Sequence, residues 1–283
     1  MGINELHLSR EHAEQRLSQD NCVFLARVGS NMYGTNLKTS DDDYTGIFMS
    51  DRSHAGLGIK NIDHIEYRTN STGSGKRNTQ EDRDCTLYSF KKWVKLAMDN
   101  NPNILELFFA PEKCIMQTSK VWERLRDNKH LFLSLKIFHS FRGYAHSQRA
   151  RLELKSGNNT GRTDLIEKYG YDVKLASHNI RLYLECIQLL KEGQITFPLP
   201  ERAVVLLIKT GEWAGEEGFK KFLALSDELS ARCQSLYDNS KLQHSPAQED
   251  INDLLIDIQE EYLGYKKPKG FLNKLKYAFG GDK

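Results

Sequence analysis

The sequence predicts an α+β protein: a small mixed-sheet domain over residues 1–115, followed by an all-helical domain over residues 116–283. Three observations carry this. Short apolar runs bounded by turn residues recur through the first hundred or so residues. Such runs disappear after about residue 115. From there the apolar residues recur at three- and four-residue intervals, the period of an amphipathic helix.

Taken in order, Phe24-Val28 is an apolar run ended by Gly29, and Tyr44-Met49 is a second. His64-Arg68 and Cys85-Tyr88 are further short strand candidates. Between them lies "NSTGSGKRNTQEDR", residues 70–83, rich in glycine, serine and charge, which reads as a surface loop. The stretch from Tyr88 to Met98 places Phe90, Val94, Ala97 and Met98 at helical spacing. "NNPNILELFFAPEK" opens a helix at Pro102 and stops it at Pro111. In the second part "YDVKLASHNIRLYLECIQLLKEG" is a long helix closed by Gly193. "AVVLLIKTGEW" is short and apolar and fits strand or helix. "EEGFKKFLALSDELSARCQSLYDN" and "QEDINDLLIDIQEEYLGY" are amphipathic helices. A basic tail, "KKPKGFLNKLKYAFGGDK", ends the chain, and no internal repeat is visible.

Composition narrows the function classes. Hydrophobic residues make up 39% and charged residues 28% of 283, the balance of a folded globular protein. No apolar run reaches the length of a membrane span, and the polar start is unlike a signal peptide. Five cysteines, Cys22, Cys85, Cys114, Cys186 and Cys233, are odd in number and never spaced C-x-x-C. That spacing speaks against a disulfide framework or a thiolate zinc site and points to a reducing cytoplasm. The net charge of +2 gives no chain-wide attraction for nucleic acid, so any basic surface is local. Oligomeric state is not legible.

The chemistry concentrates at Asp41-Asp42-Asp43. Alternate residues of a strand share a face, so Asp41 and Asp43 point together and Asp42 points away, toward the surface. Two carboxylates on one face suit a divalent cation with oxygen ligands. Upstream, Gly29-Ser30 ends the preceding strand, where a glycine admits phosphate to backbone N–H groups and the serine adds a donor. Phosphate cradle and acid pair together are what nucleotidyl transfer needs. Acid runs by themselves are more often solvated turns or helix caps.

In this setting "GSNMYGTNLKTSDDDYTGIF" resembles the signature of the DNA polymerase beta superfamily of nucleotidyltransferases: Gly-Ser, a spacer, then Asp-x-Asp. The added Tyr33-Gly34 and the run Ser40 to Gly46 are similar to predicted nucleotidyltransferases of bacteria and phages, some of them placed in RNA-repair operons. "YSFKKWVKLAMDNNPNILELFFAP", "FRGYAHSQ", "YDVKLASHNIRLYLECIQLLKEGQITFP", "IKTGEW" and "SKLQHSPAQEDINDLLIDIQEEY" extend the likeness over most of residues 24–263.

The resemblance implies a nucleoside triphosphate substrate, two Mg2+ ions with Mn2+ as a substitute, and a third carboxylate on a neighbouring strand. Asp84 is the candidate for that carboxylate, with Asp82 and Glu66 as competitors and a helix cap near Leu87 as the alternative role. Lys174, His178 and Arg181 lie at i, i+4 and i+7, one face of a helix. They would serve triphosphate oxygens, His178 through either ring nitrogen, or else form a solvated basic face. Tyr144, Ser147 and Gln148 are candidates for base and sugar contacts, against a core aromatic and an exposed amide. Gly143 beside them, inside a helix, calls for a packing or functional reason. His54, His64, His139 and His146 are scattered and read as structural or exposed. The acceptor stays open between an RNA end or tRNA, which the operon association favours, and a protein hydroxyl, as in an AMPylating enzyme. A non-catalytic nucleotide-binding module is the third reading.

Overall fold

The computed structural model describes residues 21–50, 62–68, 83–153 and 163–264. The expected loop at 70–83, apart from Arg83, His54, and the basic tail from Lys266 onward all fall outside these residues. The chain divides into two compact units, Met1–Pro246 and Ala247–Lys283.

The first unit contains a mixed five-stranded sheet: β1 (Cys22–Arg27), β2 (Asp42–Phe48), β3 (His64–Arg68), β4 (Arg83–Ser89) and β5 (Ile115–Gln117), in the order β3-β4-β2-β1-β5. β2 and β4 are parallel, and the other neighbours are antiparallel. β1 is apolar up to its last residue, Arg27, because it has a strand on each side and both of its faces are covered. Leu25, Tyr44, Phe48, Ile65, Tyr67, Cys85 and Leu87 pack together on one face. On the other face Phe24 stacks on Trp122 with ring centroids 3.9 Å apart, and Trp93, Phe108 and Phe132 close around them. β5 extends the sheet just past residue 115, beyond the point where the sequence predicts strands to end. Three residues are too few to show a period of two, and what holds them is pairing with β1.

The connections carry short helices. α1 (Ser30–Tyr33) follows β1. α2 (Phe90–Met98) is capped by Ser89, whose side chain accepts from the Lys92 N–H. Asp84 therefore lies inside β4 and does not cap this helix. The expected helix from Pro102 to Pro111 is a single turn, α3 (Pro102–Leu105), continued by a 3-10 turn over Glu106–Phe109. α4 (Lys120–Asp127) completes the cover of the sheet.

The helical part of this unit is built on α7 (Val173–Glu192), packed against α5 (Lys136–Glu153), α8 (Arg202–Thr210) and α9 (Gly215–Asp238), with the shorter α6 (Thr163–Tyr169) beside it. Asp172 caps α7 by accepting from the Lys174 and Leu175 N–H groups, and Gly193 ends it in the left-handed conformation. The ambiguous run "AVVLLIKT" is the helix α8. In α5, Gly143 is exposed and a Cβ there would meet nothing, so the expected packing reason is absent. The second unit's described helix, α10 (Gln248–Tyr262), carries Glu249 and Asp250 in its first turn, where carboxylates complement the helix dipole. No described helix is long and apolar enough to cross a membrane. All five cysteines are buried and free.

Candidate active site

The site forms at the N-terminal ends of the parallel pair β2 and β4. In their register Asp43 lies opposite Asp84, and Asp42 opposite Arg83. Partnered residues of a parallel pair share a face, so Asp43 and Asp84 project to the same side and Asp41 joins them by alternation. Asp42 turns to the other side. There it pairs with the Arg27 guanidinium and accepts from Asn31 Nδ2 at 3.2 Å. Its side chain is 24% exposed, so this residue, expected at the surface, is an ion-paired part of the β1–β2 framework.

Asp43 is the electrostatic centre. Burial raises its carboxyl first, and the charges of Asp41 and Asp84 push it further, up to about 6, against the pull of Lys174. The Val28 N–H holds the Asp43 carbonyl at 2.8 Å and so fixes this residue against the end of β1. Gly29 follows with φ +65° and ψ −144°, a conformation that side chains avoid. A Cβ at Gly29 would stand 2.8 Å from Asp43 Oδ2. Glycine is thus required twice, by its backbone and by the carboxylate beside it, and Ser30 is delivered next to the acids.

The helical part reaches the same place. Lys174, exposed at the start of α7, acts on the charge of Asp43. Lys209 on α8 joins it, a residue that the sequence reading does not single out. Its ammonium donates to the Thr35 carbonyl at 2.7 Å, and it is pushed down to about 8 by burial and by Lys174, with Asp41 and Asp43 opposing. The signal for it is a single cation in an otherwise apolar run.

Three expected binding residues are placed differently. Arg181 is 4% exposed, and its guanidinium donates to Glu185 at 2.7 and 3.0 Å and to Glu106 at 3.3 Å, lying 4.1 Å over the Tyr33 ring. Its position is neither a solvated basic face nor a phosphate-facing one. Gln148 is 6% exposed, whereas Ser147 is exposed and bonds back to the Tyr144 carbonyl. The two lie on different sides of α5 and form no common polar edge. Tyr144 packs edge-on to His178 with ring centroids 5.0 Å apart, which brings it to the α7 row.

The Gly29-to-Tyr33 turn is tied to the helical part directly. Tyr33 donates to Glu106 at 2.8 Å, and the Leu199 N–H donates to the Tyr33 carbonyl at 3.1 Å. A Cβ at Gly34 would stand 2.7 Å from Pro198, so the turn and the 197–202 segment are in close contact.

The donor set suits a hard divalent cation. Asp41, Asp43 and Asp84 offer only carboxylate oxygens, and their mutual repulsion at Asp43 is what a cation would relieve. Among the described residues no three such side chains form a ready cage. This is compatible with Mg2+, which binds through one or two carboxylates and completes its shell with water and substrate phosphates.

Residues 4–257 match the family described as RlaP, the RNA repair pathway DNA polymerase beta family. The chain belongs to this family. The DNA polymerase beta superfamily is the one that the Gly-Ser and Asp-x-Asp pattern resembles. A curated relative, the uncharacterized 38.9 kDa protein in the nrdC–mobD intergenic region of Enterobacteria phage T4, is 30% identical over 148 residues. The match covers 51% of this chain and 43% of the phage protein, so the chain spans less than half the length of that relative. Among solved structures, a nucleotidyltransferase-like protein from Exiguobacterium sibiricum aligns at 12% identity with a TM-score of 0.32, covering 80% of this chain and 75% of that one.

Proposed function

We propose that this family member transfers a nucleoside monophosphate from a nucleoside triphosphate to an acceptor hydroxyl, with an RNA end as acceptor. The observation that carries this is the convergence of Asp41, Asp43 and Asp84 with Lys174 and Lys209 at one place beside Gly29-Ser30. Asp41 and Asp43 would hold Mg2+, with Asp84 completing a second position. Bound there, the cation neutralises phosphate charge and lowers the barrier to displacement. Ser30 offers a hydroxyl to a phosphate oxygen. Lys174 and Lys209 balance the negative charge that gathers on the departing pyrophosphate. Asp84 accepts the proton of the acceptor hydroxyl as its oxygen bonds to the α-phosphorus and the bond to the β-phosphate oxygen breaks. The preference for RNA follows the family's description.

The test is incubation with each α-labelled NTP, Mg2+ or Mn2+, and either RNA or cell lysate. Label in RNA that disappears in the folded Asp41→Asn/Asp43→Asn double variant is the expected result. Label in a protein band would make the enzyme a protein modifier. Nucleotide binding with no transfer to either would make it a binding module.

A further inference from the structure

A polar cavity lies across β2 from Asp43, and the chemistry above leaves it unused. Its volume is about 320 Å3, and Arg27, Asn31, Asn36, Lys38, Ser40 and Asp42 line it. We propose that it binds a backbone phosphodiester of the acceptor RNA, near the reacting end of the strand. That the acceptor is RNA rests on the reading given under Proposed function.

Strand pairing decides which side of the sheet the cavity serves. Arg27 lies opposite Tyr44 in the β1–β2 register, and Tyr44 shares a face with Asp42 by alternation. Arg27 and Asp42 therefore project together, away from Asp43 and Asp84, and form an ion pair. Arg83, opposite Asp42 in the β2–β4 register, belongs to the same side. The end of the sheet is thus divided. Carboxylates gather on one side, where a cation would sit, and Arg27 and Arg83 flank Asp42 on the other. The two sides meet at Asp41. Its sequence neighbours Ser40 and Asp42 both line the cavity, and Asn31, next to Ser30, donates to the Asp41 carbonyl at 3.5 Å. A strand laid over this end of the sheet would reach both sides.

The cavity wall is held by the chain itself. The Leu37 N–H donates to Ser40 Oγ at 2.9 Å, and the Ser40 N–H returns to the Leu37 carbonyl at 3.0 Å. Thr35 is buried, its N–H donates to the Ser30 carbonyl at 2.9 Å, and its carbonyl accepts from Lys209. Between these fixed points Asn36 and Lys38 are exposed, and neither side chain is bonded among the described residues. Arg27 commits Nη2 to Asp42, yet its side chain is 39% exposed, which leaves Nη1 for a ligand.

Charge and size select that ligand. Arg27 and Lys38 bring two positive charges and Asp42 one negative, so the lining carries +1. A phosphodiester carries a single negative charge and matches it, with the Asn36 amide as a neutral donor. A triphosphate carries several charges and belongs on the acid side, where cations would neutralise it. The volume stands at the low end of the range of about 300–1,000 Å3 for ligand sites, room for a nucleotide unit and not for a duplex. Arg as a planar fork and Lys as a point charge are the side chains suited to phosphate oxygens. Such contacts place a nucleic acid without reading its sequence.

The test uses the full chain with Mg2+ and no NTP, so that RNA binding is read without turnover. Asn36 and Lys38 are exposed, and their alanine variants keep the fold. In fluorescence anisotropy with a short single-stranded RNA at low salt, Lys38→Ala and the double variant Asn36→Ala/Lys38→Ala should each lose about fivefold or more in affinity. Lys38→Ala should also flatten the slope of log affinity against log salt by about 0.7, the loss of one phosphate contact on a single strand. Affinity for Mg-ATP should stay within about twofold. RNAs with one uncharged methylphosphonate linkage, moved along the strand, locate the contact. At one position near an end the substitution should cost wild type as much as Lys38→Ala does, and cost that variant nothing more. Unchanged RNA affinity and salt slope in both variants overturn the proposal. So does an equal loss for RNA and Mg-ATP, which would give the cavity to the nucleotide, and so do losses spread evenly over all linkages. In each of these cases wild-type RNA binding leaves the acceptor reading standing. Wild-type protein that binds Mg-ATP but no RNA would refute that reading, and the cavity's assignment with it.

Discussion

Replacing Asp43 by asparagine should make the metal-free protein more stable while removing its activity. The unperturbed carboxyl titrates at 3.8 and the folded one at about 6. At about 1.36 kcal/mol for each tenfold change, this is about 3 kcal/mol by which ionised Asp43 opposes folding. The figure already contains the attraction of Lys174, and partial exposure of the side chain trims it to about 1–3 kcal/mol. The sign follows from proton binding. Between pH 3.8 and 6 the folded state holds the proton more often than the unfolded chain, so stability falls as pH rises through that window and stays lower above it. The asparagine side chain carries no charge and escapes the penalty. Thermal unfolding in EDTA at pH 8 should therefore show Asp43→Asn melting about 3–9 °C above wild type. Near pH 4.5 the gap should shrink to about a third. An equal or lower melting temperature at pH 8, or a gain of the same size at both pH values, would show that Asp43 is not strained by its charge. The crowding of Asp41, Asp43 and Asp84 would then lose its force as an argument for cation binding.

Three further outcomes follow from the same geometry. Lys209→Met should weaken Mg-ATP binding by about tenfold or more in calorimetry, yet stabilise the free protein at pH 7, because a lysine held down to about 8 costs stability below that pH. Gly29→Ala should cost about 2 kcal/mol or more in urea unfolding. In an Asp43→Ala background the steric part should vanish and about 1–2 kcal/mol of backbone strain remain. The two buried glutamates should behave oppositely at pH 7. Glu106 is raised to about 8 by burial, against the pull of Arg181, so the folded state loses stability as pH rises from the ordinary carboxyl range through 8, and Glu106→Gln should be stabilising already at pH 7 and more so above pH 8. Glu185 is the ion partner of Arg181, and Glu185→Gln should cost about 3–5 kcal/mol.

How far the sequence reveals this site depends on the range of each interaction. Asp41 and Asp43 are legible because strand alternation is local. Gly29 is legible because a glycine after a buried strand marks a turn. Asp84 is reached by resemblance, since its position opposite Asp43 is a fact of strand pairing between segments forty residues apart. The role of β5 and the state of Asp42 depend on pairing in the same way. Asp42 is the instructive case, because the charge that neutralises it, Arg27, sits on the preceding strand and gives no periodic signal.

The helix α7 shows where periodicity misleads. Spacing puts Lys174, His178 and Arg181 on one face, and the helix does present them so. A face is not an environment, however. α7 is the central helix, wrapped by α5, α8 and α9, and its face passes from solvent to core along its length. The clue lies in two residues outside that basic row. Glu185 interrupts the apolar run "LYLECIQLL", and Glu106 interrupts "NILELFF". A lone carboxylate in a buried run needs a buried partner of opposite charge, because its desolvation is otherwise too costly. Two such acids, one of them a turn away from an arginine on the same helix, are enough to assign Arg181 to the interior. With Arg181 so committed, Lys174 and Lys209 are the cations among the described residues that act on these acids, one on each of two helices, and on the proposed reading they would meet the triphosphate. The cleft is therefore defined by its lysines and its aspartates, and the arginine behind them fixes the shape in which they are held.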